Sequence, residues 1–98
     1  MVYSLGEYMV NLNEPNYRRY IKVKISVGYT EKKLDKEIAE KASPISDAIN
    51  SVLRSKKLDD VDTAEKTDSI KIEMKNKINS ILDTGDLTNV YFDEILVQ

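Results

Sequence analysis

The clearest pattern in the chain is the alternation across residues 18–30, RRYIKVKISVGYT. There Ile21, Val23, Ile25, Val27 and Tyr29 take one phase, and Tyr20, Lys22, Lys24 and Ser26 take the other. A period of two sends successive side chains to opposite faces of a strand, so this segment has one buried and one wet face. Residues 3–12, YSLGEYMVNL, repeat the pattern more loosely, with Tyr8, Val10 and Leu12 in phase. Gly6 marks either a bulge or a late strand start. Between the two segments lies NEPN, Asn13–Asn16. Proline presets one turn dihedral and asparagine tolerates the next, which predicts a reverse turn and an antiparallel hairpin.

The period then lengthens. Thr30 is the expected N-cap of a helix over 31–42, in which Leu34, Ile38 and Ala42 recur every four residues. Ser43 is the expected cap of a second helix, because Pro44 suits a first helical turn and disfavours helical geometry at the residue before it. Its stripe is Ile45, Ala48, Ile49, Val52 and Leu53, with Asp47 near the positive end of its dipole. After a charged connector at 56–62, Asp62 and Glu65 have capping-box spacing for a third helix. That helix is expected to run to about Asp83, with Ile70, Met74, Ile78, Ile81 and Leu82 as its stripe and Gly85 as a left-handed C-cap. Residues 87–97 read as a last strand. Val90 and Phe92 share one phase and Ile95 and Val97 the other, so a bulge near Asp93 and Glu94 is needed to reconcile them. The order β-β-α-α-α-β predicts an α+β fold: a three-stranded, largely antiparallel sheet covered on one face by two or three helices. The third strand is required because a lone hairpin is barely stable. With 98 residues and no repeat or linker, the expectation is one domain over 1–98.

Composition narrows the function classes. The chain contains neither cysteine nor histidine, which removes the usual Cys/His zinc sites, thiol nucleophiles and histidine acid–base pairs. The formal charge of -2 argues against nucleic acid as a partner, since phosphate recognition needs a basic surface. Lys22 and Lys24 beside Tyr20 resemble a face that stacks single-stranded RNA, but the run is short and reads better as a solubilising wet face. Asp59, Asp60, Asp62, Glu65 and Asp68 lack the glycine and late glutamate of a calcium loop, so a connector and helix cap explain them. No glycine-rich phosphate loop is present, no cofactor is implied, and no apolar run approaches the roughly 20 residues that span a bilayer. Ile72 points away from the stripe of the third helix. It is either a single exposed apolar residue or a contact with a neighbouring subunit.

The order of these pieces resembles the extracytoplasmic domain of the flagellar basal body-associated FliL family. The resemblance rests on VNL at 10–12; on RRYIKVKISV, whose Arg19, Tyr20, Ile21 and Lys22 look like the family's Arg-Tyr-aliphatic-Lys strand; on PISDAINSVLRSK; and on IKIEMKNKINSIL followed by GDLTNVYFDEILVQ. Together these span most of residues 8–98. Departures are Ser46 where an arginine usually precedes Asp47, Asp93 and Glu94 in place of a threonine step, and Ile72 where a polar residue is typical.

The resemblance implies a stomatin/SPFH-like fold and a non-enzymatic motor accessory protein. It implies a homo-oligomeric ring around flagellar stator units that supports their activation and torque. It further implies a periplasmic domain of a single-pass inner-membrane protein at the basal body, with the transmembrane helix upstream of the sequence in hand. Candidate interface residues are Arg18 and Arg19 at the strand start, Lys56 and Lys57 at a helix end, and Ile72. The competing readings are a generic membrane-tethered stomatin-like scaffold unrelated to flagella, and a hydrolase or transferase using carboxylates, lysine or serine.

Overall fold

The computed structural model describes residues 1–15 and 18–98. Its elements are β1 (Val2–Asn11), β2 (Tyr20–Gly28), α1 (Leu34–Glu40), α2 (Ala42–Arg54), a single 3₁₀ turn (Leu58–Asp60), α3 (Ala64–Asn79) and β3 (Asn89–Val97). This is the expected α+β order. The turn expected over Asn13–Asn16 falls in part on residue 16, which with residue 17 lies outside the described residues.

The three strands form one open antiparallel sheet in the order β1-β2-β3, so the strictly alternating segment is the central strand. Its Ile21, Val23, Ile25 and Val27 are almost fully buried. Over them lie Leu34 and Ile38 of α1, Ile45, Ile49, Val52 and Leu53 of α2, and Ile70, Met74 and Ile78 of α3. Burying such a set from water is the main stabilising term of a domain this small.

Both edge strands carry an extra residue. In β1, Ser4 pairs with Ser26 and Gly6 with Ile25, which leaves Leu5 as the insertion. Gly6 takes φ +91, so the glycine marks a bulge rather than a late start. In β3, Phe92 pairs with Ile25 and Glu94 with Lys24, which leaves Asp93 as the insertion. The insertion brings Val90, Phe92, Ile95 and Val97 opposite Val27, Ile25, Val23 and Ile21, all on one face. The extra residue is held by the Ser26 hydroxyl, which donates to Asp93 Oδ2 at 2.6 Å. That contact helps bury Ser26, which alternation alone assigns to the wet face.

The helix ends differ from expectation. Thr30 does not cap α1. The chain enters it through tight i to i+3 bonds, Leu34 N–H to the Glu31 carbonyl (3.0 Å) and Asp35 N–H to that of Lys32 (3.1 Å), so α1 is short. Nor does Ser43 cap α2. The chain passes from α1 through Lys41 straight into α2, and Ser43 and Pro44 sit in its first turn. The first intrahelical bond there is Ile45 N–H to the Lys41 carbonyl (3.0 Å), so the missing proline N–H costs nothing. The α3 cap is Thr63, one residue after Asp62, accepting from Lys66 N–H at 3.2 Å. α3 ends at Asn79 rather than near Asp83, and Gly85 is not left-handed. Side chains take the cap's place. Ser80 Oγ donates to the Lys77 carbonyl (2.6 Å), and Lys41 Nζ donates to that of Ile81 (2.8 Å). The Asn79 amide brackets the Leu87 backbone, accepting from its N–H at 2.7 Å and donating to its carbonyl at 3.3 Å.

Candidate interaction surfaces

Four of the five candidate interface residues meet at one end of the sheet. Leu12 N–H donates to the Arg19 carbonyl (2.8 Å) and Asn13 N–H to that of Lys56 (2.7 Å), so the end of β1 lies between the start of β2 and the end of α2. Arg18 and Lys57 are exposed beside them. Lys56 is only partly available, because its ammonium pairs with Glu73 of α3 at 2.7 Å. The Glu14 carboxylate closes this end by accepting from Leu58 N–H at 2.7 Å.

Ile72 is not part of that cluster. It lies on the β3 side of α3, 57% exposed, and lines a groove of about 300 Å³. The opposite wall of the groove is the first half of β3, including Val90 and Tyr91. Lys71 rims it, pairing with Asp68 (3.3 Å) and standing 5.3 Å from the centre of the Phe92 ring.

The sheet face opposite the helices is uncovered. Across it run two rows, Met9–Lys22–Leu96 and Glu7–Lys24–Glu94. Met9 and Leu96 stand exposed at the two edges, and Lys22 pairs with Glu7 at 3.6 Å. The lysines of β2 therefore sit between carboxylates and apolar groups of its neighbours, an arrangement that alternation in one strand does not reveal.

The most constrained polar site escaped sequence reasoning altogether. Glu37 of α1 is buried, and its carboxylate accepts from Lys41 Nζ (2.7 Å), Asp83 N–H (2.7 Å) and Thr84 N–H (2.9 Å). Lys41 also reaches Asp83 Oδ2 at 2.9 Å. The Lys41 hydrogen bond and the two backbone donors hold the Glu37 carboxyl down at about 2 against the burial that opposes them. The same contacts raise the Lys41 ammonium, chiefly through Glu37 and then Asp83. This clip ties the segment after α3 to the α1–α2 junction. Its only trace in the sequence is an i, i+4 Glu–Lys pair, which looks like any exposed helix pair. Nearby, Tyr29 is buried and donates its hydroxyl to Asp35. Burial first, then that hydrogen bond and the Asp35 charge, push it up to about 12.

The acidic run at 59–68 is spent on local contacts. Lys66 Nζ donates to Asp62 (3.0 Å) and to the Asp59 carbonyl (2.6 Å), and Asp60 accepts from Lys57 N–H (2.9 Å). Among the described residues no three carboxylates converge as a metal site would require, and no helix is long and apolar enough to cross a membrane.

The fold and these surfaces define a small open-faced α+β module that presents a cationic end, an apolar groove and a bare sheet face, with the buried Glu37 carboxylate locked into a structural clip. The chain belongs to the family described as flagellar basal body-associated protein FliL, whose model matches residues 2–98. A protein described as flagellar protein FliL from Aquifex aeolicus (strain VF5) is 32% identical over 91 residues, covering 93% of this chain and 56% of its own length. The chain thus spans little more than half of that relative. Membership places it among basal body-associated accessory proteins of the flagellum.

Proposed function

We propose that this chain is the extracytoplasmic contact domain of a non-enzymatic flagellar motor accessory protein, held at the inner membrane by a helix upstream of this segment. Copies assemble into a ring around stator units and support their activation and torque. The observation that carries the reading is the family match across nearly the whole chain. It favours this reading over a generic membrane scaffold. In mechanism, the ring binds the extended, active form of the stator's periplasmic segment more tightly than the compact form. A ligand shifts such an equilibrium only by its difference in affinity for the two states. The tether supplies high effective concentration, so weak contacts between isolated domains suffice.

The cationic end formed by Arg18, Arg19, Lys56 and Lys57 and the groove at Ile72 lie on separate surfaces, as a subunit with neighbours on more than one side requires. The test is fluorescent tagging of the full-length parent in cells with and without stator genes. Foci at flagellar bases that depend on the stators support the collar. Foci that persist without stators make it a basal-body component placed independently, and diffuse membrane signal in both strains removes the flagellar reading.

A further inference from the structure

We infer that the groove between α3 and the first half of β3 takes a short extended peptide from another protein, added as a fourth strand beside Asn89–Phe92 and carrying acidic residues toward Lys71 and Lys75. β3 is an edge strand, so one side of its backbone has no neighbouring strand in the sheet. Such an edge is a template for strand addition. A strand laid there turns alternate side chains toward the helices, into the space walled by Ile72 and Val90, and the others toward Tyr91 on the open face. The bulge at Asp93 breaks the edge after Phe92, which limits the ladder to about four residues.

Charge selects the occupant. Lys71 and Lys75 line the groove against a single carboxylate, Asp68, and Lys75 has no ion-pair partner among the described residues. In head-to-tail pairing with this edge, a second copy of this chain does not complement that rim. Its other edge, β1, offers one acid, Glu7, already paired with Lys22, and the α2 residue beside that edge that bonds to Tyr8 is the neutral Ser46, at 3.1 Å. An acidic segment with alternating apolar residues satisfies both the apolar wall and the cations. The inference names the partner chemistry of one surface in the proposed assembly and rests on that reading for its biological setting. The binding itself is testable apart from it.

The probes are two synthetic ten-residue peptides with valine at alternate positions, one with glutamate and one with lysine at the positions between, each fluorescently labelled. They are titrated into the 98-residue chain by anisotropy. The glutamate peptide is expected to bind saturably, and its affinity to fall about tenfold with Lys75→Glu and more with Ile72→Glu. A twin N-methylated at alternate amides, which cannot complete the ladder, is expected not to bind. Retained thermal unfolding of both variants separates lost binding from lost folding. Failure of the glutamate peptide to saturate below about 1 mM, equal binding of the lysine peptide, or unchanged binding of the N-methylated twin overturns the inference. So does self-association of the chain that Ile72→Glu abolishes, since a second copy then occupies the groove. Peptide binding together with diffuse signal in the imaging experiment keeps this inference and rejects the flagellar reading, so the two failures are distinguishable.

Discussion

Gly6 holds φ +91 with nothing within 4 Å of where a Cβ would stand, so Gly6→Ala tests backbone conformation free of steric clash. The expected loss is about 1–2 kcal/mol, read as a lower denaturation midpoint with an unchanged m-value. Glu37 and Tyr29 give opposite pH responses. The Glu37 carboxyl is lowered from 4.5 to about 2, so its contribution is fully present above pH 4.5 and is lost as pH falls from there toward 2. Glu37→Gln is therefore less stable than the parent at pH 7, and the gap narrows on acidification. A gap that stays constant between pH 7 and 2.5 contradicts the assignment. Tyr29 is raised from 10.0 to about 12, so its contribution holds below pH 10 and disappears between 10 and 12. Tyr29→Phe should flatten the alkaline arm of the melting-temperature profile. At this scale the sequence marked Tyr29 and Gly6 through period and residue type. It hid Glu37, because burial of a charged residue depends on where the distant Asp83 and Thr84 backbone arrives.

Among elements, strands were more legible than helix ends. Alternation is a property of the strand itself, and the phase break in β3 pointed to its bulge before any partner was known. Caps are decided by competition. Thr63 captured the α3 start from Asp62 because Asp62 reaches the Lys66 ammonium, and Lys41 with Ser80 took the place that Gly85 was expected to fill. The bulge makes a sharp prediction. Deleting Asp93 leaves Phe92 and Glu94 consecutive opposite Ile25 and Lys24, with every apolar side chain on its original face. That variant should fold, losing about 1 kcal/mol with the Ser26 hydrogen bond. Deleting Tyr91 instead puts Val90 and Phe92 on opposite faces and should lose the cooperative thermal transition. Equal stability of the two deletions would mean that the register is not fixed as described.

For the whole molecule, the interface candidates separate into two surfaces that no single-strand or single-helix pattern could have joined or parted. The proximity of Arg19 to Lys56 exists only because Leu12 and Asn13 bond to both. Ile72→Glu changes an exposed side chain and should keep stability within about 0.5 kcal/mol, and crosslinking between full-length copies in membranes should be unchanged, because the groove at Ile72 takes a segment of another protein. Loss of the crosslinked ladders in that variant would place Ile72 in a contact between copies and overturn the peptide reading of the groove. The paired bulges carry one more consequence. Leu5 and Asp93 interrupt the two outer strands next to the same central residue, Ile25, so neither border of the sheet is straight along its length. Long straight borders seed the endless stacking of fibrils. The tethered assembly proposed above would expose the chain to that hazard, and these two inserted residues keep its borders too crooked to propagate it. Removing Asp93 should therefore leave the monomer folded and make its concentrated solutions prone to thioflavin-positive fibres.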